Sequence, residues 1–221
     1  MRQYNGEKAI ISLTSWKARI GTVSKTLHNL LTVCPGFHIV LVLSEEEFPK
    51  KEEELPSDLK LFLDNDLIEL LWTYKNTKSF KKVIPTMEKY PEVPVISADD
   101  DCLYKINYAE ILYQNYLQTK GPTSMVFGFG TGYGVIFSPH CLDGYKDFFT
   151  DAVIATSHDD LFYRYVFCKF RRRYFKLNCP SNYVIFHDEV QPVTLVCKAR
   201  DDLNKPLFNK IFGIDLTRVV L

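Results

Sequence analysis

Short apolar runs alternate with helical patterns along the first 120 residues of the chain. The predicted strands are 9–13, 39–43, 70–72 and 93–97, and the predicted helices are 23–31, 81–90 and 110–117. Parallel strands need long crossover connections, which are usually helices, so this alternation predicts right-handed βαβ units and a mainly parallel sheet. Pro94 lacks the backbone N–H that a sheet ladder needs, and it therefore weakens only the start of the fourth strand.

The second half of the chain is less regular. Its patterns predict strands at 135–137, 183–186 and 193–196, a helix from Asp159 to about Tyr174, and a C-terminal tail rich in Lys and Asp. No long linker or internal repeat separates the halves. We therefore predict one α/β domain over residues 1–221, made of a regular half (1–120) and a less regular half (121–221).

Composition excludes several classes of protein. Apolar residues make up 46% of the 221 and aromatic residues 14%, which is typical of a folded chain. The 27 basic residues balance the 27 acidic ones, so we expect no nucleic-acid partner. No apolar run is long enough to span a bilayer, residues 1–8 lack a signal-peptide core, and the six cysteines form no C-x-x-C pair. We expect a cytoplasmic protein with reduced thiols.

Three adjacent aspartates, Asp99, Asp100 and Asp101, follow the fourth predicted strand directly. Ligands of open parallel sheets bind beyond the carboxyl ends of the strands. Adjacent carboxylates repel one another unless a cation neutralises them, and hard oxygen ligands suit Mg²⁺ or Mn²⁺. We therefore predict a metal site that would hold a diphosphate, with a solvated acidic turn as the alternative. His187, which follows a later strand, is a further candidate ligand, although a lone histidine is more often structural.

A second acidic pair, Asp159 and Asp160, opens the predicted helix of the second half. Either carboxylate could accept a proton from an attacking hydroxyl that comes within hydrogen-bond reach. The other interpretation is that Ser157 or Asp159 simply caps the helix. The spacing alone leaves both interpretations open.

Polar and basic side chains follow the first strand and precede the third helix. Thr14, Ser15 and Arg19 offer hydroxyls and a guanidinium, which suit a phosphate or a ribose. Lys82, at the end of the basic run 77–82, could supply a further cation to a phosphate. An ordinary solvated loop would have the same composition.

The stretch 161–176 combines basic and aromatic residues and contains no acid. Its Arg171, Arg172 and Arg173 could contact an anionic membrane surface. The alternative is an amphipathic helix whose aromatic residues enter the core and whose cations are solvated. We favour the second interpretation on the residues alone.

Several segments, taken in order, resemble bacterial glycosyltransferases of the GT-A type that are similar to family 2 and act in surface-polysaccharide synthesis, such as that of capsule or lipopolysaccharide. The matching segments are 11–16 (ISLTSW) with Arg19 and Ile20, 43–49 (LSEEEFP), 79–85 (SFKKVIP), the aspartate triplet as a D-x-D-type motif, 132–139 (GYGVIFSP) and 158–160 (HDD). Tyr133 replaces one glycine of the group's pattern, and the Arg-rich stretch is more basic than the group's usual sequence.

The resemblance implies a nucleotide-sugar donor, Mn²⁺ or Mg²⁺ on its diphosphate, and a glycan or lipid-linked acceptor hydroxyl. Residues 1–120 would then bind the donor and residues 121–221 would face the acceptor. The implied donor-binding residues are Thr14, Ser15, Arg19, Lys82, Asp99 and Asp100, and the implied metal ligands are Asp99, Asp101 and His187. Asp160 would be the base of an inverting enzyme, and Asp159 would contact the acceptor.

Two other functions fit the same residues. A nucleotidyl- or phosphotransferase would use similar metal carboxylates, but a nucleotidyltransferase releases pyrophosphate rather than a nucleoside diphosphate. A non-catalytic protein that binds sugar nucleotides or lipid headgroups would bind the donor without turnover.

Overall fold

The computed structural model describes residues 2–124, 133–177, 184–186 and 206–213 of the chain. The strands are β1 (Ile10–Thr14), β2 (His38–Ser44), β3 (Glu69–Thr73), β4 (Val95–Ser97), β5 (Cys102–Tyr104), β6 (Thr123–Ser124), β7 (Val135–Phe137), β8 (Phe175–Lys176) and β9 (Val184–Phe186). The α-helices are α1 (Val23–Val33), α2 (Ser57–Asp64), α3 (Ile84–Lys89), α4 (Tyr108–Thr119), α5 (Asp151–Thr156), α6 (Asp159–Lys169) and α7 (206–212). The predicted α/β class is confirmed.

One seven-stranded sheet has the strand order β3-β2-β1-β4-β7-β6-β8. The first four strands in this order pair in parallel, as the βαβ pattern predicted. β7 is antiparallel to both β4 and β6, whereas β6 and β8 are parallel. β5 and β9 form a separate antiparallel pair. The regular half of the sequence thus builds the parallel edge of the sheet, and the irregular half builds the mixed edge.

Two apolar clusters cover the two faces of the sheet. Successive side chains of a strand point to opposite faces, so Ile11 of β1 belongs to one cluster and Ile10 to the other. Leu27 of α1 is buried in the first cluster, and Phe162 of α6 and Phe208 of α7 are buried in the second. Packing on both faces of the sheet holds the parallel strands in place, with their carboxyl ends at one edge of the sheet.

Several sequence predictions need correction. The helix of the second half ends at Lys169 and not near Tyr174, because Arg171 adopts a left-handed conformation (φ 50°) and the chain then forms β8. The predicted tail contains α7, and α2, α5, β5, β6 and β8 were not predicted. The helix predicted at 81–90 begins at Ile84, because a 3₁₀ turn precedes it and Pro85 occupies its first turn. The strand predicted at 193–196 lies outside the described residues.

A buried charge network ties β2, β3 and α3 together. The Glu69 carboxylate is hydrogen-bonded to His38 Nε2 at 2.6 Å and accepts hydrogen bonds from Lys89 Nζ and Tyr90 Oη, each at 2.8 Å. Burial raises the pKa of Glu69, but these hydrogen bonds outweigh it and hold the pKa below its usual value. The carboxylate form therefore stabilises the fold.

We expect Glu69→Gln to lower the free energy of unfolding by about 1–2 kcal/mol at pH 7, because Gln keeps the shape and loses the charge-assisted hydrogen bonds. Since the folded pKa of Glu69 is depressed, its contribution is complete above the unfolded pKa and is lost as pH falls through the folded pKa. Urea unfolding of both proteins from pH 7 down to pH 3 measures this difference. A difference that stayed constant with pH would contradict an ionic role for Glu69.

Candidate functional site

A cleft of about 230 Å³ opens at the carboxyl ends of the parallel strands. It is lined by Thr14, Ser15, Trp16, Arg19, Glu47, Asn76, Lys78, Ser79, Lys81, Lys82, Asp99 and Asp100. These residues follow β1, β2, β3 and β4, which is where ligands of open α/β sheets bind. Six of the predicted site residues therefore line one cleft.

Arg19 joins the loop after β1 to the aspartate triplet. Its guanidinium contacts Asp100 Oδ1 and Asp101 Oδ2, each at 2.6 Å, and all three side chains are buried. Ser15 Oγ also donates a hydrogen bond to Asp100 Oδ2 at 2.6 Å. Burial raises the pKa of Asp100 to about 7, although Arg19 and Ser15 oppose the shift. The predicted donor-binding residues Ser15 and Arg19 thus hold the triplet in place.

Backbone contacts fix the triplet from the other side. Thr26 Oγ1 on α1 lies 3.0 Å from the carbonyl oxygens of both Asp100 and Cys102. The backbone N–H of Asp99 donates to Tyr104 Oη at 2.7 Å. Asp99 has the most exposed side chain of the triplet (28%), so it is the carboxylate that a ligand in the cleft can reach most readily.

The donor set suits a hard divalent cation. Ligand atoms of Asp99, Asp101 and Cys102 all lie within 4.8 Å of one another. Burial raises the pKa of the Cys102 thiol, and sulfur is a softer ligand than Mg²⁺ or Mn²⁺ prefers. The two carboxylates remain as oxygen ligands, and Mg²⁺ is commonly held by one or two carboxylates, substrate phosphates and water. The residues present fit such a metal.

Lys82 connects the triplet to the second acidic pair. Its Nζ lies 2.7 Å from Asp99 Oδ1 and 3.1 Å from Asp159 Oδ2, and its side chain is 7% exposed. Burial disfavours the ammonium form, but the charges of Asp159, Asp99 and Asp160 outweigh it and raise the pKa of Lys82. Lys82 is therefore charged, and one buried cation contacts both candidate carboxylate groups.

The acidic pair does not cap α6. His158 occupies the N-cap position and makes no side-chain capping hydrogen bond, while Ser157 ends α5 in a left-handed conformation (φ 57°). The capping interpretation of Ser157 and Asp159 is therefore wrong. Asp159 is buried against Lys82, and Asp160 is only half-buried.

Other predicted residues have different positions. Thr14 lines the cleft, but its Oγ1 donates to the Val42 carbonyl at 2.7 Å. His187 lies outside the described residues, so its assignment as a metal ligand remains a prediction. Lys81, which belongs to the basic run 77–82 that was considered for a phosphate, also lines the cleft. Glu47 and Asn76 line it too and were not predicted. Their place just beyond β2 and β3 was the available signal, because those strands end at the same edge as β1 and β4.

One side chain of the arginine run 171–173 makes its contacts within the protein. Arg172 donates to the backbone carbonyls of His140 at 2.7 Å and Asp143 at 2.8 Å. Its guanidinium also lies 5.2 Å from the ring centre of Phe170. Arg171 and Arg173, by contrast, are exposed. Only these two neighbours of Arg172 are therefore placed to meet another surface.

The sequence matches no protein-family model and no curated protein. Solved structures do match the fold. A mannosyltransferase from Pyrobaculum calidifontis, in complex with GDP-Man and Mn²⁺, is 15% identical over 81% of this chain, with a TM-score of 0.55. The match covers 56% of that protein's length. TarS (residues 1–349) from S. aureus is 11% identical over 95% of this chain and 73% of its own, with a TM-score of 0.55.

A cytidylyltransferase from Leptospira borgpetersenii is 11% identical over 96% of this chain and 97% of its own, with a TM-score of 0.52. Sequence identities this low establish the fold alone. The chain has a GT-A-like α/β fold, an architecture found in both glycosyltransferases and cytidylyltransferases.

Every helix among the described residues is too short or too polar to cross a bilayer.

Proposed function

We propose that this chain is a metal-dependent glycosyltransferase. It would transfer a sugar from a nucleotide-sugar donor to a hydroxyl of a glycan or lipid-linked acceptor in surface-polysaccharide synthesis. The observation that carries the proposal is the position of Lys82, which lines the cleft beside Asp99 and also contacts the buried Asp159 at the start of α6. Glycosyl transfer needs a cationic environment for the leaving diphosphate and a separate carboxylate for the attacking hydroxyl, and Lys82 lies next to carboxylates of both groups.

Asp99 and Asp101 would hold Mn²⁺ or Mg²⁺, which offsets the charge of a leaving diphosphate when it is bound. Arg19 and Lys82 add two further cations beside the same carboxylates. Thr14 and Ser15 would contact the ribose or the phosphates, and Asp100 would contact the ribose. Buried cations that are held by fixed carboxylates stabilise developing negative charge without reorganising at the moment of reaction.

Asp160 is the proposed base. The Asp159 carboxylate is held by Lys82 at 3.1 Å, so it would instead orient the acceptor. Asp160 lies in the first turn of α6, where the helix dipole favours its ionised form. A carboxylate that accepts the hydroxyl proton directly implies inversion at the sugar carbon.

Nucleotidyl transfer is the second candidate, because the structural match includes cytidylyltransferases at nearly full length. The products distinguish the two reactions. Incubation with nucleotide sugars, Mn²⁺ and glycan acceptors should release a nucleoside diphosphate. Release of pyrophosphate from a nucleoside triphosphate and a sugar phosphate would instead establish nucleotidyl transfer.

We expect Asp99→Asn to weaken Mn²⁺-dependent binding of a nucleoside diphosphate by roughly 10–100-fold, because one oxygen ligand of the metal loses its charge. Calorimetry with and without Mn²⁺ measures the effect, and a thermal scan checks that the fold survives. Asp66→Asn, in the turn after α2, is the control. Equal Mn²⁺-dependent affinity of Asp99→Asn and the unmodified protein would contradict the metal assignment.

Contact with the inner face of a membrane would bring the enzyme to a lipid-linked acceptor. Arg171 and Arg173 are the exposed members of the arginine run, and each would contribute about 1 kcal/mol near anionic lipid. We expect an Arg171→Ser/Arg173→Ser double variant to bind anionic vesicles several-fold more weakly at low salt. Co-sedimentation with the vesicles measures the binding. Arg172 is left unchanged, because replacing it would disturb the fold. Identical binding of the double variant would contradict membrane contact.

A further inference from the structure

A second cavity lies at the edge of the sheet opposite to the cleft. It has a volume of about 310 Å³ and is lined by residues 119–122 and 138–141 together with Arg172, Arg173 and Phe175. Because β7 runs antiparallel to β4, the residues that follow β7 lie beside the amino end of β4, whereas the cleft lies beyond its carboxyl end. β1 has five residues that each rise about 3.3 Å, so the two edges are about 15 Å apart. We call this site the basic cavity.

Three cations of the basic cavity have no carboxylate partner. Lys120, Arg172 and Arg173 come from two separate segments of the chain, and none of them forms an ion pair with a carboxylate of the described residues. The lining residues that the structure describes include no acid either. Like charges that line a concave surface repel one another and concentrate a positive potential there. An anion bound in the cavity would relieve this repulsion.

Arg172 is already held in position for an anion. Its Nη1 donates to the His140 carbonyl at 2.7 Å and its Nη2 to the Asp143 carbonyl at 2.8 Å, while the Phe170 ring lies against the guanidinium. These partners fix the guanidinium and carry no charge that would cancel its own. A guanidinium has five N–H groups, so three remain available, and their planar arrangement matches the oxygens of a phosphate. Little conformational entropy would be lost when Arg172 binds such an anion.

His140, the fourth basic residue of the lining, differs from these three. Its ring contacts Glu92 at 2.9 Å and Asp143 at 3.2 Å, and the carboxylate of Glu92, followed by that of Asp143, raises its pKa. The charge of a protonated His140 is thus balanced by neighbouring acids, and we leave it out of the proposed ligands. Lys120, by contrast, ends α4 with an exposed side chain whose Nζ lies 5.5 Å from the centre of the Tyr116 ring. Its ammonium group can therefore turn towards a ligand.

We propose that the basic cavity binds a phosphate group, carried either by a lipid headgroup or by a small soluble molecule. Arg172 would bind two phosphate oxygens, and Lys120 and Arg173 would supply further positive charge. A phosphate monoester carries a charge of about −1.5 to −2 at neutral pH, which the three cations balance. This site is separate from the proposed donor site, because it lies at the other edge of the sheet and requires no metal.

Titration of the full chain with glycerol phosphate, followed by NMR, tests the site. EDTA is present so that no divalent metal draws the phosphate to the aspartate triplet. We expect the backbone amide signals of residues 119–121 and 172–175 to shift, while those of 99–101 do not. Lys120→Gln and Arg173→Gln should each weaken binding roughly fivefold, because each removes one cation beside the phosphate.

Lys169→Gln is the matched control. Lys169 also ends a helix, is exposed, and has its Nζ 5.5 Å from the centre of an aromatic ring, that of Phe148, but it does not line the basic cavity. This substitution removes the same charge as Lys120→Gln and should leave the affinity unchanged. Equal weakening by the two substitutions would mean that the phosphate responds only to overall charge, and it would overturn the inference.

Vesicles distinguish the two sources of the phosphate. Co-sedimentation compares neutral phosphatidylcholine vesicles with vesicles that also contain phosphatidic acid. Binding that requires phosphatidic acid, and that Lys120→Gln weakens while Lys169→Gln does not, would identify a lipid headgroup. NMR shifts at the basic cavity without such vesicle binding would identify a small soluble ligand. Absence of both responses would overturn the inference and leave the proposed glycosyl transfer standing.

Discussion

Replacing Asp160 with Asn should lower turnover by roughly 10² or more while the affinity for the donor stays near that of the unmodified protein. A hydroxyl acceptor must lose a proton as it attacks, and Asn keeps the size of the side chain but accepts no proton. Steady-state kinetics with a nucleotide sugar and a glycan acceptor measure turnover, and calorimetry measures donor affinity. The anomeric configuration of the product completes the experiment.

Asp151→Asn is the matched control, because Asp151 also opens a short helix but is exposed and faces solvent. It should leave turnover unchanged. Retention of most of the turnover in Asp160→Asn would exclude Asp160 as the base and make Asp159 the next candidate. A fall in donor affinity would assign the pair to the nucleotide site, and retention of configuration would exclude direct attack assisted by Asp160.

Lys82→Met should lower the free energy of unfolding of the ligand-free protein by about 3–5 kcal/mol, because it leaves Asp99 and the buried Asp159 without their cation. For a chain of this size that loss lowers the melting temperature by roughly 6–20 °C. Urea unfolding and a thermal scan both measure it. Lys8→Met is the control, since the Lys8–Glu110 ion pair is largely exposed and should contribute about 1 kcal/mol or less.

A double-mutant cycle separates the ion pair from simple loss of packing. Lys82→Met combined with Asp159→Asn should be less destabilised than the sum of the single changes, because the second substitution removes the uncompensated charge. Strict additivity would mean that the two side chains contribute independently. A loss below about 1 kcal/mol in Lys82→Met would contradict the central role of this cation.

The parallel half of the fold could be predicted because its signals are local. Each of β1, β2 and β4 is a short apolar run followed by polar residues, and the period of α1 places Leu27 on one face. Strands as short as β5, β6 and β8 carry no such pattern, since they exist only through their partners in the sheet. The end of α6 likewise depends on one backbone conformation, at Arg171, that its sequence does not specify.

The candidate site, like the fold, was predictable from the sequence only where its signal was local. The triplet and the acidic pair were visible because adjacent carboxylates repel one another and stand out in the sequence, and the triplet also directly follows the end of β4. Their connection through Lys82 depends on a distance in space between residues that are far apart in sequence, and no spacing rule distinguishes Lys82 from Lys81. Structure assigns the two lysines to different parts of the cleft.

Because α7 comes late in the chain, its packing bears on the order in which the aspartate triplet and the acidic pair become fixed during synthesis. Phe212 of α7 lies against Tyr165 of α6, with ring centres 4.0 Å apart, and Phe208 is fully buried. Ribosomes release the N-terminal part of a chain first, so β1 to β4 and the aspartate triplet can assemble before residues 206–212 emerge. The helix that carries Asp160 packs against α7 only afterwards. A nascent chain would therefore form the surface proposed to hold the nucleotide before the proposed base is fixed in position.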